Sequence, residues 1–369
     1  MLNYIIWNVD PEIFSGFHIR WYGLFFAIGF FFSYLCIKKI FIRENLTAND
    51  ADNLTFTTFF LLLIGLRLGH CIFYEPDVYF GPYLKLFKSD CTFVMGTEAF
   101  PDMGCTVTWH DLARWLMVWE GGLASHGGAI GLVCAFIWFS RKSGKSFMWV
   151  MSRAAVVIPF TAFFVRMGNL MNSEIYGVAT TLPWGFVFVR DAAIQTNAAE
   201  LSNIMAQAGL VASESVESLQ AFLSNCLPLQ AASFESLLDV LLKYHFLNAE
   251  QVNPFIDACV QAGLLTTNHP TQIYEALTYL TLGGILVAYY QLRTKHNKPI
   301  SDYVISAIAF FMFFATRFCV EFIKNNQVDF EQNMTLDMGQ WLSIPFILFG
   351  FVWVVLAIRE KRKANQTNV

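Results

Sequence analysis

The stretch WYGLFFAIGFFFSYLCIKKI, residues 21–40, is almost continuously apolar up to the two lysines near its end. As a helix, about twenty such residues rise roughly 30 Å, which matches the hydrocarbon core of a bilayer. Other stretches of the chain have similar length and character. The 369 residues are 56% hydrophobic and 14% charged, whereas a soluble protein carries roughly a quarter charged residues. The sequence therefore predicts an all-α integral membrane protein with several spans.

Seven segments are predicted to be spanning helices, and basic residues concentrate in the connections after the first, third, fifth and seventh. The segments are residues 20–41, 54–73, 121–139, 150–171, 272–291, 302–322 and 338–358. The basic residues are Lys38, Lys39, Arg43, Arg141, Lys142, Lys145, Arg293, Lys295, Lys298, Arg359, Lys361, Arg362 and Lys363. Because basic loops stay in the cytoplasm, we expect the N-terminus outside and the C-terminus inside.

Two polar inserts in this single polytopic domain, residues 1–369, would then lie outside the membrane. They are an outer loop insert, residues 74–119, and an outer helical insert, residues 192–268, in which Lys243 is the one Lys or Arg among many acids. ESVESLQAFLSNCL and FESLLDVLLKYHFL have helical periodicity. The second insert is therefore predicted to form a small extra-cytoplasmic helical cap.

The cysteines of the two inserts leave two alternatives open. Cys91 and Cys105 lie in the first insert, and Cys226 and Cys259 in the second. On an oxidising face of a membrane each pair can form a disulfide; buried free thiols are an equally good interpretation. The other four cysteines fall within predicted spans and are interpreted as packing residues.

Four basic side chains stand inside apolar runs, and the predicted topology places all of them near the outer ends of their spans. They are Arg67, His126, Arg166 and Arg317. Each alone has an ordinary explanation: an arginine can extend to the headgroups, a histidine beside glycines can be a core residue, and Arg317 can pair with Glu321 four residues on. Ionisable residues at membrane depth more often mark a functional site.

Together, the four side chains favour a site for a phosphate at the outer membrane edge. Guanidinium groups bind phosphate through a planar fork of donors, and phospholipid headgroups are the abundant anions at this depth. His126 has a reference pKa that allows proton transfer near neutral pH. The segment RMGNLMNSEIYG, residues 166–177, adds Asn169, Asn172 and Glu174 as orienting groups. The glycines at 121–122 and 127–128 are expected to allow close backbone approach and to interrupt the third span.

Other recognisable chemistry is missing from the sequence. We find no nucleotide-binding glycine loop, no paired CxxC, no HExxH and no GxSxG. No bound metal and no other cofactor is indicated, and the net charge of −4 gives no sign of a nucleic-acid partner.

Eight segments, in this order along the chain, resemble the prolipoprotein diacylglyceryl transferases, bacterial enzymes of lipoprotein maturation. They are IRWYGLFFAIGF, GLRLGHCIFYEP, VWEGGLASHGGAIG, RMGNLMNSEIYG, LPWGFVF, HPTQIYEAL, RFCVEFIK and MGQWLSIPFILFG. The resemblance touches all seven predicted spans and leaves the two inserts uncovered. It implies transfer of the diacylglyceryl group of phosphatidylglycerol to a lipobox cysteine thiol of a prolipoprotein, with release of glycerol phosphate. It also implies a location in the bacterial cytoplasmic (inner) membrane, with the bilayer as a partner.

The resemblance also implies roles for single residues. His126 would accept the thiol proton, Arg166 would hold the lipid phosphate, and Arg317 would stabilise the leaving group. Five further residues would position substrate or an arginine: Tyr22, Asn169, Glu174, Gly177 and Glu321. The nucleophilic cysteine belongs to the substrate.

Three positions depart from the family pattern. Val165 stands where a glycine usually precedes the arginine, and Ser173 replaces a common glycine. Phe313 stands where members carry a tyrosine four residues before the second arginine, so a hydroxyl there is either dispensable or supplied elsewhere.

Two other classes of function remain as alternatives. A transporter with a cation-lined cavity commonly has internal repeats and a site near the midplane, whereas this chain shows no repeat and its polar cluster lies toward one face. Another phospholipid-headgroup enzyme would share the phosphate site but would not depend on a thiol acceptor.

Overall fold

The computed structural model describes most of the chain, and within that part the protein is mainly helical. The described residues are 4–14, 19–87, 92–94, 106–117, 122, 124–192, 196–211, 216–226, 233–325 and 334–367. They divide into two compact units, a first unit of residues 1–33 and 155–369 and a second unit of residues 34–154.

The second unit contains the later part of one long helix and the beginning of another. Its elements are α1 (Trp21–Arg43), α2 (Ala48–Phe73), α3 (Pro76–Phe87), β2 (Thr92–Val94), β3 (Thr106–Thr108), α4 (Trp109–Ala113), a 3₁₀ turn (Arg114–Leu116), α5 (Ser125–Ser143) and the start of α6 (Phe147–Met171). β2 and β3 pair in parallel. Thr47 caps α2, because its side chain accepts from the backbone N–H of Asp50, which satisfies a helix-end donor.

Glycines set the spacing between α2 and α5. A Cβ atom on Gly127 would lie 2.1 Å from the carbonyl oxygen of Gly65, and one on Gly131 would lie 2.0 Å from that of Leu61. Small residues allow this close backbone approach, so the expectation of close approach is confirmed. The expected interruption holds at Gly122, which has φ 70° and precedes the helix, but not at Gly127 and Gly128, since α5 begins at Ser125 and continues through that pair.

The first unit contains a helical insert between two long helices. Its elements are β1 (Tyr4–Trp7), the start of α1, the rest of α6, β4 (Gly185–Phe188), α7 (Ala198–Gln207), α8 (Val216–Cys226), α9 (Phe234–Lys243), α10 (Val252–Gln261), α11 (Thr271–Lys295), α12 (Asp302–Glu321) and α13 (Met338–Thr367). β1 and β4 pair in parallel, with Tyr4 opposite Gly185 and Trp7 opposite Phe188.

α8 and α9 lie in the two stretches of the acidic insert whose periodicity predicted helices, and α7 and α10 add two more helices to the insert. Their apolar faces share one core that includes Leu201, Leu223, Leu237 and Phe255. Cys259 lies in this core as a buried free thiol, which favours the free-thiol alternative at that position, and burial raises its pKa to about 12. The side chain of Cys226, and the whole of Cys91 and Cys105, lie outside what the structure describes.

Within the described chain, five helices are long and apolar enough to cross a membrane. They are Trp21–Arg43, Ala48–Phe73, Phe147–Met171, Asp302–Glu321 and, within α13, Met338–Lys363. The other two predicted spans are helices as well, α5 and α11, but they are less apolar. The first begins with SHGG and ends with RKS, and the second begins with TQIYE. The count of seven spans therefore stays a prediction.

Candidate functional site: a buried arginine cluster

Arg166 lies near the end of α6, and its guanidinium is buried against α11. Its Nε lies 2.8 Å from Glu275 Oε2, and the two side chains are 12% and 0% exposed. Arg166 Nη2 donates to Glu275 Oε1 at 3.2 Å, and Nη1 donates to Asn169 Oδ1 at 3.3 Å. A buried charge is tolerated when it is paired and hydrogen-bonded. Glu275 therefore fixes the position of the guanidinium.

The turn after α6 is organised around Glu174. Asn169 Nδ2 donates to Glu174 Oε1 at 2.8 Å, Asn172 Nδ2 donates to the same oxygen at 3.4 Å, and Gln272 Nε2 donates to the Glu174 carbonyl at 2.7 Å. Because these amide nitrogens point at Glu174, their oxygens point elsewhere. Asn172 Oδ1 and Gln272 Oε1 are buried without a hydrogen-bond partner among the described residues. These oxygens can accept from a hydroxyl-bearing ligand.

Two residues of this turn have backbone conformations that residues other than glycine rarely adopt. Ser173 has φ 55° and Ile175 has φ 62°, in the left-handed region where a residue with a Cβ is strained. The hydroxyl of Thr271 donates to the Ile175 carbonyl at 2.8 Å and helps to hold the turn. The conformation of Ser173 explains why a glycine suits this position.

Gly177 has no room for a side chain. A Cβ atom there would lie 2.2 Å from the Ile323 carbonyl oxygen. Its own carbonyl accepts from Asn268 Nδ2 at 2.9 Å and from Asn325 Nδ2 at 3.1 Å. Gly177 therefore joins the turn after α6 to the segments that precede α11 and follow α12.

Tyr22, at the start of α1, packs directly over the arginine segment. A Cβ atom on Gly168 would lie 2.9 Å from Tyr22 Cδ2, so the glycine admits the ring. The charges of Glu174 and Arg166 both act on the Tyr22 hydroxyl. The structure thus brings Tyr22, Asn169 and Glu174 together around Arg166, as a shared site requires.

Arg317 and Glu321 do not form the ion pair that their spacing allows. Glu321 is 7% exposed, and its Oε2 lies 3.4 Å from Lys324 Nζ. Burial lowers the pKa of the Lys324 ammonium, and the positive charges of Arg166 and Arg317 act in the same direction. Across the described chain, no carboxylate lies within ion-pair distance of Arg317.

A tyrosine of α11 lies beside Phe313, at the position where family members carry a tyrosine hydroxyl. The Phe313 ring stacks on Tyr279, with centroids 4.3 Å apart and planes 8° apart. The Tyr279 hydroxyl donates to Glu275 Oε1 at 3.4 Å. A tyrosine hydroxyl is thus present beside position 313. No contact among the described residues explains Val165.

His126 belongs to the second unit, where aromatic rings hold its half-buried imidazole. Its centroid lies 5.0 Å from the Phe73 ring, edge to face, and 5.6 Å from the Tyr74 ring, stacked. Tyr74 also stacks on His70 at 5.7 Å, and His70 Nε2 lies 3.6 Å from Glu75 Oε2. Within the described ranges, His126 has ring contacts and no hydrogen-bond partner.

Arg67 has a different use from the one predicted. It is 3% exposed, and its guanidinium donates to the carbonyl oxygens of Arg114 at 2.6 Å, Trp115 at 3.2 Å and Gly122 at 3.3 Å. It also lies over the Tyr79 ring. Arg67 therefore stabilises the loop before α5 through the backbone.

Sequence reasoning missed three members of the cluster, Glu275, Tyr279 and Lys324. The signal for Glu275 was present in HPTQIYEAL, as an acid near the outer end of a predicted span. Tyr279 lies one turn further along the same helix. Lys324 lies two residues beyond the predicted span 302–322, and its burial depends on tertiary packing.

The fold and this cluster define a polytopic membrane protein with a buried arginine site suited to a phosphate-bearing lipid. A family model described as prolipoprotein diacylglyceryl transferase matches residues 11–356. The chain therefore belongs to the prolipoprotein diacylglyceryl transferase family, and the resemblance drawn from the sequence is confirmed.

Relatives named phosphatidylglycerol–prolipoprotein diacylglyceryl transferase are similar to this chain over nearly their full length. That of Bacteroides fragilis is 30% identical over 359 residues, covering 97% of this chain and 96% of the relative. That of Porphyromonas gingivalis is 31% identical over 365 residues, with the same coverage. That of Chloroherpeton thalassium is 27% identical over 363 residues, again covering 97% and 96%.

Proposed function

We propose that this protein transfers the diacylglyceryl group of phosphatidylglycerol to the lipobox cysteine thiol of a prolipoprotein. The thiolate sulfur attacks the glycerol carbon that carries the phosphate ester. A carbon–sulfur thioether bond forms, the carbon–oxygen bond breaks, and glycerol phosphate leaves with the bonding electrons. The observation that carries this proposal is the family match over residues 11–356.

The arginines supply the electrostatic part of the mechanism. Arg166, fixed by Glu275, binds the lipid phosphate, and Arg317 stabilises the charge that develops on the departing phosphate. Preorganised cations in a site with little water are worth far more than in solution. The absence of a carboxylate partner for Arg317 among the described residues supports this role. Glu321 restrains Lys324 beside the two arginines.

The proton and the headgroup are handled by other side chains. A thiol with a pKa near 8.5 is a weak nucleophile until it is deprotonated, and His126 is the proposed acceptor of its proton. Asn169, Glu174 and Tyr22 position the glycerol headgroup, whose hydroxyls match the free acceptor oxygens in the turn after α6. Gly177 keeps that turn in place.

The same proposal includes the topology. The chain crosses the bacterial cytoplasmic membrane seven times, with the N-terminus outside and the C-terminus in the cytoplasm. The site then opens toward the outer leaflet, and the inserts at residues 74–119 and 192–268 lie outside. The alternating distribution of basic residues supports this orientation.

The decisive experiment uses the purified full-length protein, phosphatidylglycerol and a synthetic lipobox peptide. We expect glycerol phosphate release and a diacylglyceryl mass gain on the peptide, and neither with a peptide whose cysteine is replaced by serine. His126→Ala and Arg317→Ala, if still folded, should lose both signals. Lipid consumption without a peptide product would contradict the proposal and favour another phospholipid enzyme.

A further inference from the structure

Tyr279 places a polar group at the centre of the arginine cluster. Its side chain is 1% exposed and is the largest of the fully buried side chains among the described residues. A buried phenol normally directs its hydroxyl to hydrogen-bond partners, and here these are Glu275 Oε1, at 3.4 Å, and the Arg166 side chain. The charges of Glu275, Arg166 and Arg317 all act on this hydroxyl.

The two oxygens of the Glu275 carboxylate have different roles: Oε1 accepts two hydrogen bonds, and Oε2 forms an ion pair. Oε2 lies against Arg166 Nε at 2.8 Å, whereas Oε1 accepts from Arg166 Nη2 at 3.2 Å and from the Tyr279 hydroxyl. Without the hydroxyl, the buried Oε1 would keep a single donor among the described residues, Arg166. The carboxylate would then turn further toward the guanidinium and occupy donors that a lipid phosphate needs.

The Tyr279 ring is itself held from α12. It stacks on Phe313, with centroids 4.3 Å apart, and Phe313 lies one helical turn before Arg317. Tyr279 therefore contacts both the acid that fixes Arg166 and the helix that carries Arg317.

We infer that Tyr279 is a positioning residue, whose hydroxyl holds Glu275 and thereby keeps Arg166 in the orientation that binds the lipid phosphate. This role rests on the proposed function, since it concerns the lipid substrate of the same site. The hydroxyl matters for the site, and the ring matters for packing.

The test compares Tyr279→Phe with the unaltered protein in nanodiscs that contain phosphatidylglycerol. The change removes one oxygen and keeps the stacked ring. We expect kcat/KM for phosphatidylglycerol to fall roughly 10- to 100-fold, as for a lost hydrogen bond to a charged group, with KM for the peptide unchanged. Tyr289→Phe, a half-buried tyrosine on the same helix, is the matched control and should behave like the unaltered protein.

A second variant tests the hydroxyl separately from the ring. In the double variant Tyr279→Phe, Phe313→Tyr, the hydroxyl moves to the stacked partner, and recovered turnover would support the inference. Wild-type kinetics for Tyr279→Phe would overturn it, as would a loss that merely follows the fraction of unfolded protein. Native mass spectrometry of phosphatidylglycerol binding separates this inference from the proposed function. Weaker binding by Tyr279→Phe would support the positioning role even if the unaltered protein transferred nothing to the peptide.

Discussion

Ser173 illustrates what single residues contribute to this site. It lies in the turn between Arg166 and Gly177 with φ 55°, a conformation that costs a residue with a Cβ roughly 1–2 kcal/mol. Its hydroxyl is buried without a hydrogen-bond partner among the described residues. The residue thus carries strain at the position where the chain must reverse to bring Glu174 to Asn169.

We predict that Ser173→Gly is more stable than Ser173→Ala by about 1 kcal/mol, since both changes remove the hydroxyl but only glycine relieves the backbone. The free energy of unfolding in detergent, measured for both variants, checks this. Equal stabilities would show that the turn does not impose the left-handed conformation.

A second residue-scale prediction concerns the buried ion pair. Glu275→Gln keeps the shape of the side chain but leaves the Arg166 charge without compensation, and breaking a buried pair costs about 3–5 kcal/mol. We expect a markedly lower unfolding midpoint and reduced turnover. Glu250→Gln, at an exposed glutamate of the insert, is the control, and a midpoint for Glu275→Gln equal to this control would contradict the prediction.

At the scale of secondary-structure elements, contact between α2 and α5 depends on the absence of side chains. Gly65 and Gly69 on α2 face Gly127 on α5, so the two backbones touch. This contact positions the first turn of α5, which carries His126, next to Phe73 and Tyr74. Packing by small residues therefore places the proposed base.

Gly127→Ala should separate these helices, because its Cβ would lie 2.1 Å from a backbone oxygen that cannot move alone. We expect a loss of about 1–3 kcal/mol of stability, as for other overpacked sites, together with lost turnover. Gly81→Ala, in α3 with open space around it, should be tolerated. The unfolding curves of the two variants test this prediction. Identical curves would count against the close α2–α5 contact.

At the scale of the whole molecule, the proposed orientation in the membrane rests both on segments that lack basic residues and on segments that are rich in them. The insert from residue 192 to residue 268 has Lys243 as its one Lys or Arg, whereas the connection after α11 contains Arg293, Lys295 and Lys298. Segments rich in Lys and Arg are retained in the cytoplasm.

We therefore predict opposite labelling of two engineered cysteines by a membrane-impermeant maleimide. Tyr244→Cys, in the insert, should react in intact spheroplasts, and Lys298→Cys should react only after the membrane is permeabilised. The unaltered protein gives the background from its own free cysteines. The reverse pattern of labelling would invert the proposed topology.

Much of the helical architecture could be predicted from the sequence, because bilayer spanning requires long apolar helices. All seven predicted segments are helices in the structure, and Arg166, Asn169, Glu174 and Tyr22 form one cluster. α5 begins at Ser125, four residues later than predicted, and Gly127 and Gly128 pack inside it rather than interrupting it. Such packing depends on the partner helix, which local sequence does not contain.

The sequence by itself determined the helical membrane class and the family, because the class depends on local composition and the family on short motifs. Only the tertiary structure decided which charges compensate one another. It paired Arg166 with Glu275, 109 residues away along the chain, gave Lys324 rather than Arg317 to Glu321, and directed Arg67 to backbone carbonyls. The physical reason is that an ion pair forms between whichever side chains packing brings together, and helix–helix packing sets those distances across the whole chain.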